Sequence, residues 1–256
     1  MKRCIHRSVW AAQESRIIHI FRRKAHLLLQ HLPDRGSLFE WVALMQHHGA
    51  PTRLLDFTWS PYVAAFFALE QAEAESTVWA ICSRKLLRQE QLGIAPVRME
   101  DVPHIRIEGK PAVTVDPRLK EVFDRVYLPG TVPIVAIAEP DIMNQRLIAQ
   151  QGTFLVPGRL DRPIEQMLAD YQESDSLCVK LVLEPGVRDR AMRELLNMNI
   201  TNATLFPGLD GLARSMAYEF EFHWDFDPRT GEQYSMAADT RPLAERRTAR
   251  TPDRPS

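Results

Sequence analysis

The sequence has few cysteines, no long apolar run and no excess of either charge, and each absence excludes a class of protein. Its 256 residues include three cysteines, Cys4, Cys82 and Cys178, which lie far apart and form no Cys-x-x-Cys pair. This spacing argues against a zinc ribbon and against a disulfide framework. It is typical of a reducing compartment, so we expect the protein to be cytoplasmic.

The charge balance gives the protein no overall electrostatic field that would attract DNA or an anionic membrane. There are 32 Lys and Arg against 33 Asp and Glu, for a net charge of −1. With no recognised DNA-binding motif either, we expect no sequence-specific nucleic-acid binding. No apolar run reaches the roughly 18 residues of a membrane-spanning helix, and Met1 to Trp10 lacks the apolar core of a secretory signal. We therefore expect no membrane partner, and the sequence leaves protein partners unknown.

The stretch from Gln46 to Leu69, QHHGAPTRLLDFTWSPYVAAFFAL, carries most of the information in the chain. Gly49 predicts the end of a helix, because glycine readily adopts the left-handed conformation found there. Ser60-Pro61 predicts the start of another helix, and residues 62–69 are apolar on nearly every side, as in a buried helix. A polar, charged segment thus lies between two buried helices, and we expect a functional site there.

This stretch resembles the FRG domain, a family named for a Phe/Tyr-Arg-Gly motif near its start. The run from Gln46 to Thr58, the Ser60-Pro61 pair and Phe67-Ala68 follow the family pattern. Two later segments also fit, Gln150 to Leu155 (QQGTFL) and Thr204 to Leu212 (TLFPGLDGL). The resemblance covers about residues 14 to 220.

The resemblance implies a domain organisation with one conspicuous departure at the N-terminus. We expect an FRG-like domain over residues 14–225, a remnant or truncated segment over 1–13, and a polar, disordered tail over 226–256. No Phe/Tyr-Arg-Gly occurs in the first thirteen residues, where Arg7 stands between His and Ser. Either a strand upstream of Met1 carries the motif, or the strand and any activity it supports have been lost.

Mixed helical and strand-like segments without regular alternation favour an α+β fold. We expect a single domain with a central, mostly antiparallel sheet flanked by helices. Its strands are predicted near residues 77–82, 132–138, 153–156 and 177–183. Helices are predicted over 14–32, 37–48, 118–127, 186–198 and 207–224, and residues 93–117 form a long surface excursion. The apolar stripe of the first helix recurs at three- and four-residue spacing and consists of Ile17, Ile18, Phe21, Ala25, Leu28, Leu29 and Leu32. The predicted core side chains are Trp79, Ile81, Ile137, Phe154, Val179 and Leu181, with Leu209, Leu212, Met216 and Phe220 facing inward from the last helix.

Arg53 and Asp56 lie three residues apart in an apolar context. They either line a polar cleft or form a partly buried ion pair that fixes the loop, and both hold if the loop is the floor of a pocket. His47 and His48 are adjacent, so on a helix they point about 100° apart and cannot share a metal ion. We expect no metal site. One of the two histidines is predicted to hold the Arg53 loop by a hydrogen bond, and a plain surface histidine is the alternative.

Thr58 and Ser60 flank the start of the buried helix, and capping by Ser60 is the simplest role for its hydroxyl. A more distant resemblance to ADP-ribosyltransferase folds implies another. Those enzymes combine an Arg or His on an early strand, a hydroxyl element and a late Glu or Gln at a strand start. An early Arg holds NAD, the hydroxyl orients the nicotinamide ribose, and a late acid stabilises an oxocarbenium-like centre. The family's Phe/Tyr-Arg-Gly would be the first element. Thr58 or Ser60 would be the second element, and Gln150 or Gln151 the third. Glutamine can bond a ribose hydroxyl but supplies no negative charge, and Gln150-Gln151-Gly152 also suits a plain turn.

These residues give two functional hypotheses, and whether the protein is an enzyme stays open between them. In the first, the TRLLDFTWSP segment binds a nucleotide, with NAD as the candidate cofactor, and the resemblance implies a toxin or defence effector with ADP-ribosyltransferase-like chemistry. Its site residues are Gln151, Thr58 and Ser60 for catalysis and Gln46, His47, Arg53, Asp56 and Gln150 for ligand binding. In the second, the chain is a non-catalytic structural or protein-interaction domain, or a truncated, inactive homologue.

Overall fold

The computed structural model describes residues 9–91, 104–107, 110–222 and 231. The helices are α1 (Trp10–Ala25), α2 (Leu38–His47), α3 (Pro61–Leu69), α4 (Ser83–Gln91), α5 (Lys120–Val122), α6 (Gln145–Ala149), α7 (Ile164–Ala169), α8 (Ser174–Leu177), α9 (Arg188–Asn197), α10 (Asn202–Leu205) and α11 (Leu209–Phe222). The strands are β1 (Leu55–Thr58), β2 (Ser76–Ile81), β3 (His104–Ile107), β4 (Lys110–Val113), β5 (Thr131–Ala138), β6 (Gly152–Arg159) and β7 (Cys178–Leu183). A π-helical turn, Phe123–Tyr127, follows α5 directly.

The central sheet has three strands in the order β1-β6-β5, and both pairings are antiparallel. Strands β2 and β7 form a separate antiparallel ribbon, and β3 and β4 form a hairpin. This arrangement confirms the α+β class with an antiparallel sheet flanked by helices. Within the described ranges, no helix is both long and apolar enough to cross a membrane.

The prediction that four strands share one sheet is wrong. Segments 132–138 and 153–156 do pair, but 77–82 and 177–183 pair only with each other among the described strands. Periodicity along the chain reveals a strand but not its neighbour. The strand that completes the central sheet, β1, is only four residues long and was not among those predicted.

Strand β6 is the middle of the central sheet, and seven of its eight residues are buried. It lies between β1 and β5, with α1, α2 and the π-helical turn contributing side chains to the same core. At Gly158 a Cβ atom would lie 2.7 Å from the carbonyl oxygen of Val132, so only glycine fits this close approach of two strands. A smaller cluster joins α3, α9 and α10.

Several predicted core positions are exposed because their elements end early or stand apart from the sheet. Helix α1 ends at Ala25 rather than near Leu32, which leaves Leu28 86% exposed. Phe154 is buried as predicted, and Ile81 and Ile137 are half-buried. The exposed ones are Trp79, Val179 and Leu181 of the ribbon, and Leu209, Leu212, Met216 and Phe220 of α11.

Two predicted segments fall largely outside the described residues. Of the surface excursion 93–117, the structure describes residues 104–107 and 110–117, which include the β3–β4 hairpin. Of the tail 226–256 it describes only Gly231.

Candidate functional site

The side chain of Arg53 lies wholly inside the protein and is bound to Glu14 of α1. Its Nε donates to Glu14 Oε2 at 2.8 Å, and one terminal nitrogen donates to the same oxygen. The backbone N–H of Arg53 donates to Glu14 Oε1, also at 2.8 Å. The two side chains are 0% and 6% exposed, respectively. Both carboxylate oxygens of Glu14 are therefore satisfied by one residue of the α2–β1 loop.

The remaining Arg53 contacts reach two further segments. Its other terminal nitrogen donates to the carbonyl of Tyr127, at the end of the π-helical turn, and to that of Pro157 in β6 at 3.4 Å. The guanidinium also lies over the ring of Phe123, 5.6 Å from its centroid. One buried cation thus joins α1, the α2–β1 loop, the π-helical turn and β6.

The structure corrects the predicted ion pair between Arg53 and Asp56. The partner of Arg53 is Glu14, which lies 39 residues earlier in the chain, while Asp56 is exposed and accepts a hydrogen bond from Gln46 Nε2 at 2.8 Å. The sequence suggested Asp56 because it is the acidic residue nearest to Arg53 along the chain. The signal for Glu14 was its place on the apolar stripe of α1, one turn before Ile18, where an unpaired carboxylate would be costly.

Gln46 and Thr52 hold Asp56 in place across the loop. Thr52 Oγ1 donates to Gln46 Oε1 at 2.6 Å, which leaves the Gln46 amide nitrogen to donate to Asp56 Oδ2. Thr52 Oγ1 also accepts from the backbone N–H of Leu54 at 3.2 Å. Because this chain of bonds fixes the amide orientation of Gln46, it also fixes the direction of the Asp56 carboxylate.

Thr58 and the Gln150-Gln151 pair are brought together where β1 ends and β6 begins. Thr58 Oγ1 donates to the carbonyl of Gln150 at 2.7 Å, and the Trp59 N–H donates to the carbonyl of Gln151 at 3.0 Å. The side chain of Gln150 donates to the carbonyl of Leu205 at 3.0 Å. Gln151 is exposed, with a left-handed φ of 46°, as in a tight turn.

Ser60 caps α3. Its Oγ accepts from the Val63 N–H at 3.3 Å, and its own N–H donates to Thr58 Oγ1 at 3.0 Å. The hydroxyls of Thr58 and Ser60 therefore both order the turn between β1 and α3. This geometry supports the capping interpretation of Ser60.

The other predicted residues meet in a cavity of about 550 Å³, which we call the polar cleft. Its walls come from α1, the end of α2, the α2–β1 loop and α6. The lining side chains include Trp10, Gln13, Gln46, His47, Asp56 and Arg146, with Arg53 behind them. Thr58 and Gln150 instead line a neighbouring cavity of about 670 Å³, and Ser60 and Gln151 line neither of the two. Asp56 and Arg146 border both cavities.

Arg146 and Trp10 line the cleft, and sequence reasoning missed both. Of the two, Arg146 had a sequence signal. Arg146 is exposed on α6, and its guanidinium carbon lies 4.6 Å from the ring centroid of Phe206. It precedes Gln150 by four residues, which on a helix is one turn, so its proximity to a predicted site residue was a readable signal. Within the described ranges, no group of three or more His, Cys, Asp or Glu side chains could hold a metal ion.

The pKa of His47 lies below its ordinary value of 6.5. Partial burial is the main cause, and the nearby charges of His48 and Arg146 lower it further. His47 is therefore neutral at pH 7, where it can both donate and accept a hydrogen bond in the cleft.

This lowered pKa predicts a loss of stability in mild acid. As pH falls below 6.5, the unfolded chain takes up the His47 proton before the folded protein does, so the free energy of unfolding falls until the folded pKa is passed. We expect His47→Gln to reduce the drop in urea midpoint between pH 7.5 and 5.5. His31→Gln, which changes an exposed histidine outside the cleft, should leave the drop as in wild type. An identical drop in both variants would contradict the assignment to His47.

Comparison with known proteins matches only the first part of the chain. A family model described as the FRG domain matches residues 1–77, which contain α1, α2, β1, α3 and the first residues of β2. The match includes the α2–β1 loop and most of the polar cleft. No curated protein and no solved structure matches the chain.

Proposed function

Taking the FRG-domain match over residues 1–77 as its premise, we propose that the polar cleft binds a nucleotide-like molecule. The proposal rests on three groups that line one cleft: an exposed cation, a carboxylate held by a hydrogen bond, and an aromatic ring. These are Arg146, Asp56 and Trp10. A ligand that suits all three carries an anionic group, hydroxyls and a flat apolar ring.

Arg146 supplies the contact for the anionic group. Its guanidinium stacks on Phe206, which limits the orientations of the side chain and presents its N–H groups in one plane. A planar, fork-shaped donor suits bidentate binding of a phosphate. Arg53 has no such role in this proposal, because its side chain is fully enclosed and bound to Glu14.

Asp56 and the ring of Trp10 suit the rest of a nucleotide. A carboxylate held by Gln46 can accept hydrogen bonds from a ribose diol, and its orientation is fixed before the ligand arrives. The half-buried Trp10 offers a flat surface on which a base can stack.

Isothermal titration with ADP-ribose tests this proposal. We expect Arg146→Ala to weaken binding at least about tenfold, or about 1.4 kcal/mol, since the phosphate loses its charged partner. The matched control is Arg214→Ala, because Arg214 also faces Phe206, at 5.3 Å, but does not line the cleft. Absence of binding by wild type at millimolar ADP-ribose, or equal losses in both variants, would overturn the proposal.

Transfer of ADP-ribose from NAD is the second candidate function. The juxtaposition of Thr58 with Gln150 at the meeting of β1 and β6 favours it. Against it, the Thr58 hydroxyl already donates to a backbone carbonyl, and the Gln150 amide donates to that of Leu205. Release of nicotinamide from NAD by the wild-type protein, abolished in Gln151→Ala, would favour transfer over binding alone.

A further inference from the structure

The larger cavity beside the polar cleft lies between two strand edges that face each other. Strand β1 pairs with β6 on one side, and β2 pairs with β7 on one side. Along their other edges, residues of both strands line the same cavity of about 670 Å³, which we call the interstrand groove. Helix α3, which connects β1 to β2 in the chain, contributes Ala64, Phe67 and Ala68 to its walls.

The hydrogen-bonding groups of β1 that point into the groove follow from its register. The Trp59 N–H donates to Gln151, and the partner of Thr58 is Gly152. In an antiparallel pair, alternate residues turn their N–H and C=O groups toward the partner. Residues 55, 57 and 59 therefore face β6, and Asp56 and Thr58 turn their backbone groups to the groove.

Strand β2 presents its backbone in the same way from the opposite side. The Cys82 N–H donates to the carbonyl of Leu177 at 2.8 Å, so even-numbered residues of β2 face β7. Thr77, Trp79 and Ile81 turn their N–H and C=O groups outward, and all three line the groove. Two rows of strand hydrogen-bonding groups thus border one space, with no strand between them among the described residues.

We propose that the interstrand groove binds an extended segment of a second polypeptide, which inserts as a strand between β1 and β2. Such a segment would join the three-stranded sheet to the ribbon in the order β5-β6-β1-peptide-β2-β7. Addition of a strand to open edges is a common way to recognise a peptide.

The side chains around the groove define the chemistry of the partner segment. Leu155 and Leu168 make one wall apolar, so every second residue of the segment should be apolar. Beyond the groove, Val179 and Leu181 lie on one face of β7 and are 43% and 48% exposed, an apolar surface that an isolated strand would leave uncovered. This extended surface is why we assign the segment to a protein partner rather than to a small molecule.

The test begins with peptides selected from a displayed library of eight-residue sequences against the full chain. We expect the selected peptides to alternate apolar and polar residues. Ala68→Trp fills the groove from α3 and should weaken their binding tenfold or more. Ile164→Trp fills it from α7 and serves as the second variant if the first does not fold. Trp10→Ala removes the stacking ring of the polar cleft, and Trp10 does not line the interstrand groove. This variant should weaken ADP-ribose binding and leave peptide binding unchanged, so it distinguishes the two sites.

N-methylation of the selected peptide tests insertion directly, because it removes one backbone donor at a time. A strand held on both edges should lose affinity tenfold or more on methylation at odd and at even central positions. A peptide held at one edge tolerates methylation at every second position, and that result would overturn insertion. Two other results would overturn the proposal. One is that no peptide is selected, as expected if the chain's own residues fill the groove. The other is that both tryptophan variants bind the selected peptides as tightly as wild type does.

Discussion

Replacing Arg53 with alanine is expected to lower the free energy of unfolding by about 3–5 kcal/mol. The change leaves the Glu14 carboxylate, 6% exposed, without its partner inside the protein. It also removes the donor to the carbonyls of Tyr127 and Pro157, so groups on three segments lose hydrogen bonds together. The measurement is the urea midpoint and slope, with Arg146→Ala as the exposed arginine control.

Two further variants separate the charge of Arg53 from its shape. Glu14→Met combined with Arg53→Met leaves no unpaired charge and should recover much of the lost stability. Arg53→Lys keeps the charge but lacks the fork of donors that serves Glu14 and two carbonyls at once, so it should remain destabilised. An unchanged midpoint for Arg53→Ala would contradict a structural role. If Asp56→Leu, rather than Glu14→Met, recovered the stability lost on changing Arg53, the result would favour Asp56 as the partner of Arg53.

The second large effect is expected at Phe39, where alanine should cost about 3–5 kcal/mol. Phe39 on α2 is 1% exposed and packs edge-to-face on Phe154 of β6, with ring centroids 6.5 Å apart. Its loss would leave a cavity between α2 and the central sheet.

The matched control for Phe39→Ala is Leu28→Ala. Sequence periodicity put Leu28 on the apolar stripe of the first helix, but the helix ends three residues earlier and Leu28 is 86% exposed. We therefore expect Leu28→Ala to change the free energy of unfolding by less than about 0.5 kcal/mol. Similar costs for the two variants would place Leu28 in a packed core and contradict the observed end of α1.

The local features of the site were readable from sequence because they depend on neighbouring residues. Gly49 has a left-handed φ of 76° just past α2, and Ser60 caps α3, as the Gly and Ser-Pro signals indicate. The polar loop between two helices was located for the same reason. Thr58 and the Gln150-Gln151 pair were placed together by resemblance, and strand pairing brings them together.

The features that were missed depend on residues far apart in the chain. Glu14 binds Arg53 across 39 residues, and Arg146 reaches the polar cleft from α6. Strands β2 and β7 were identified as strands, yet their separation from the central sheet leaves Trp79 exposed. Local patterns determine where an element forms, whereas packing of the whole chain determines its partners.

We assign divided roles to the charged residues around the polar cleft: Arg53 stabilises the fold, and Arg146 and Asp56 bind the proposed ligand. Titration of the Glu14→Met/Arg53→Met protein with ADP-ribose tests this most directly. The double variant keeps Arg146, Asp56 and Gln46 in the cleft, so binding within a few-fold of wild type is expected. Loss of affinity of about tenfold or more in a folded double variant, with Arg146→Ala binding like wild type, would contradict it.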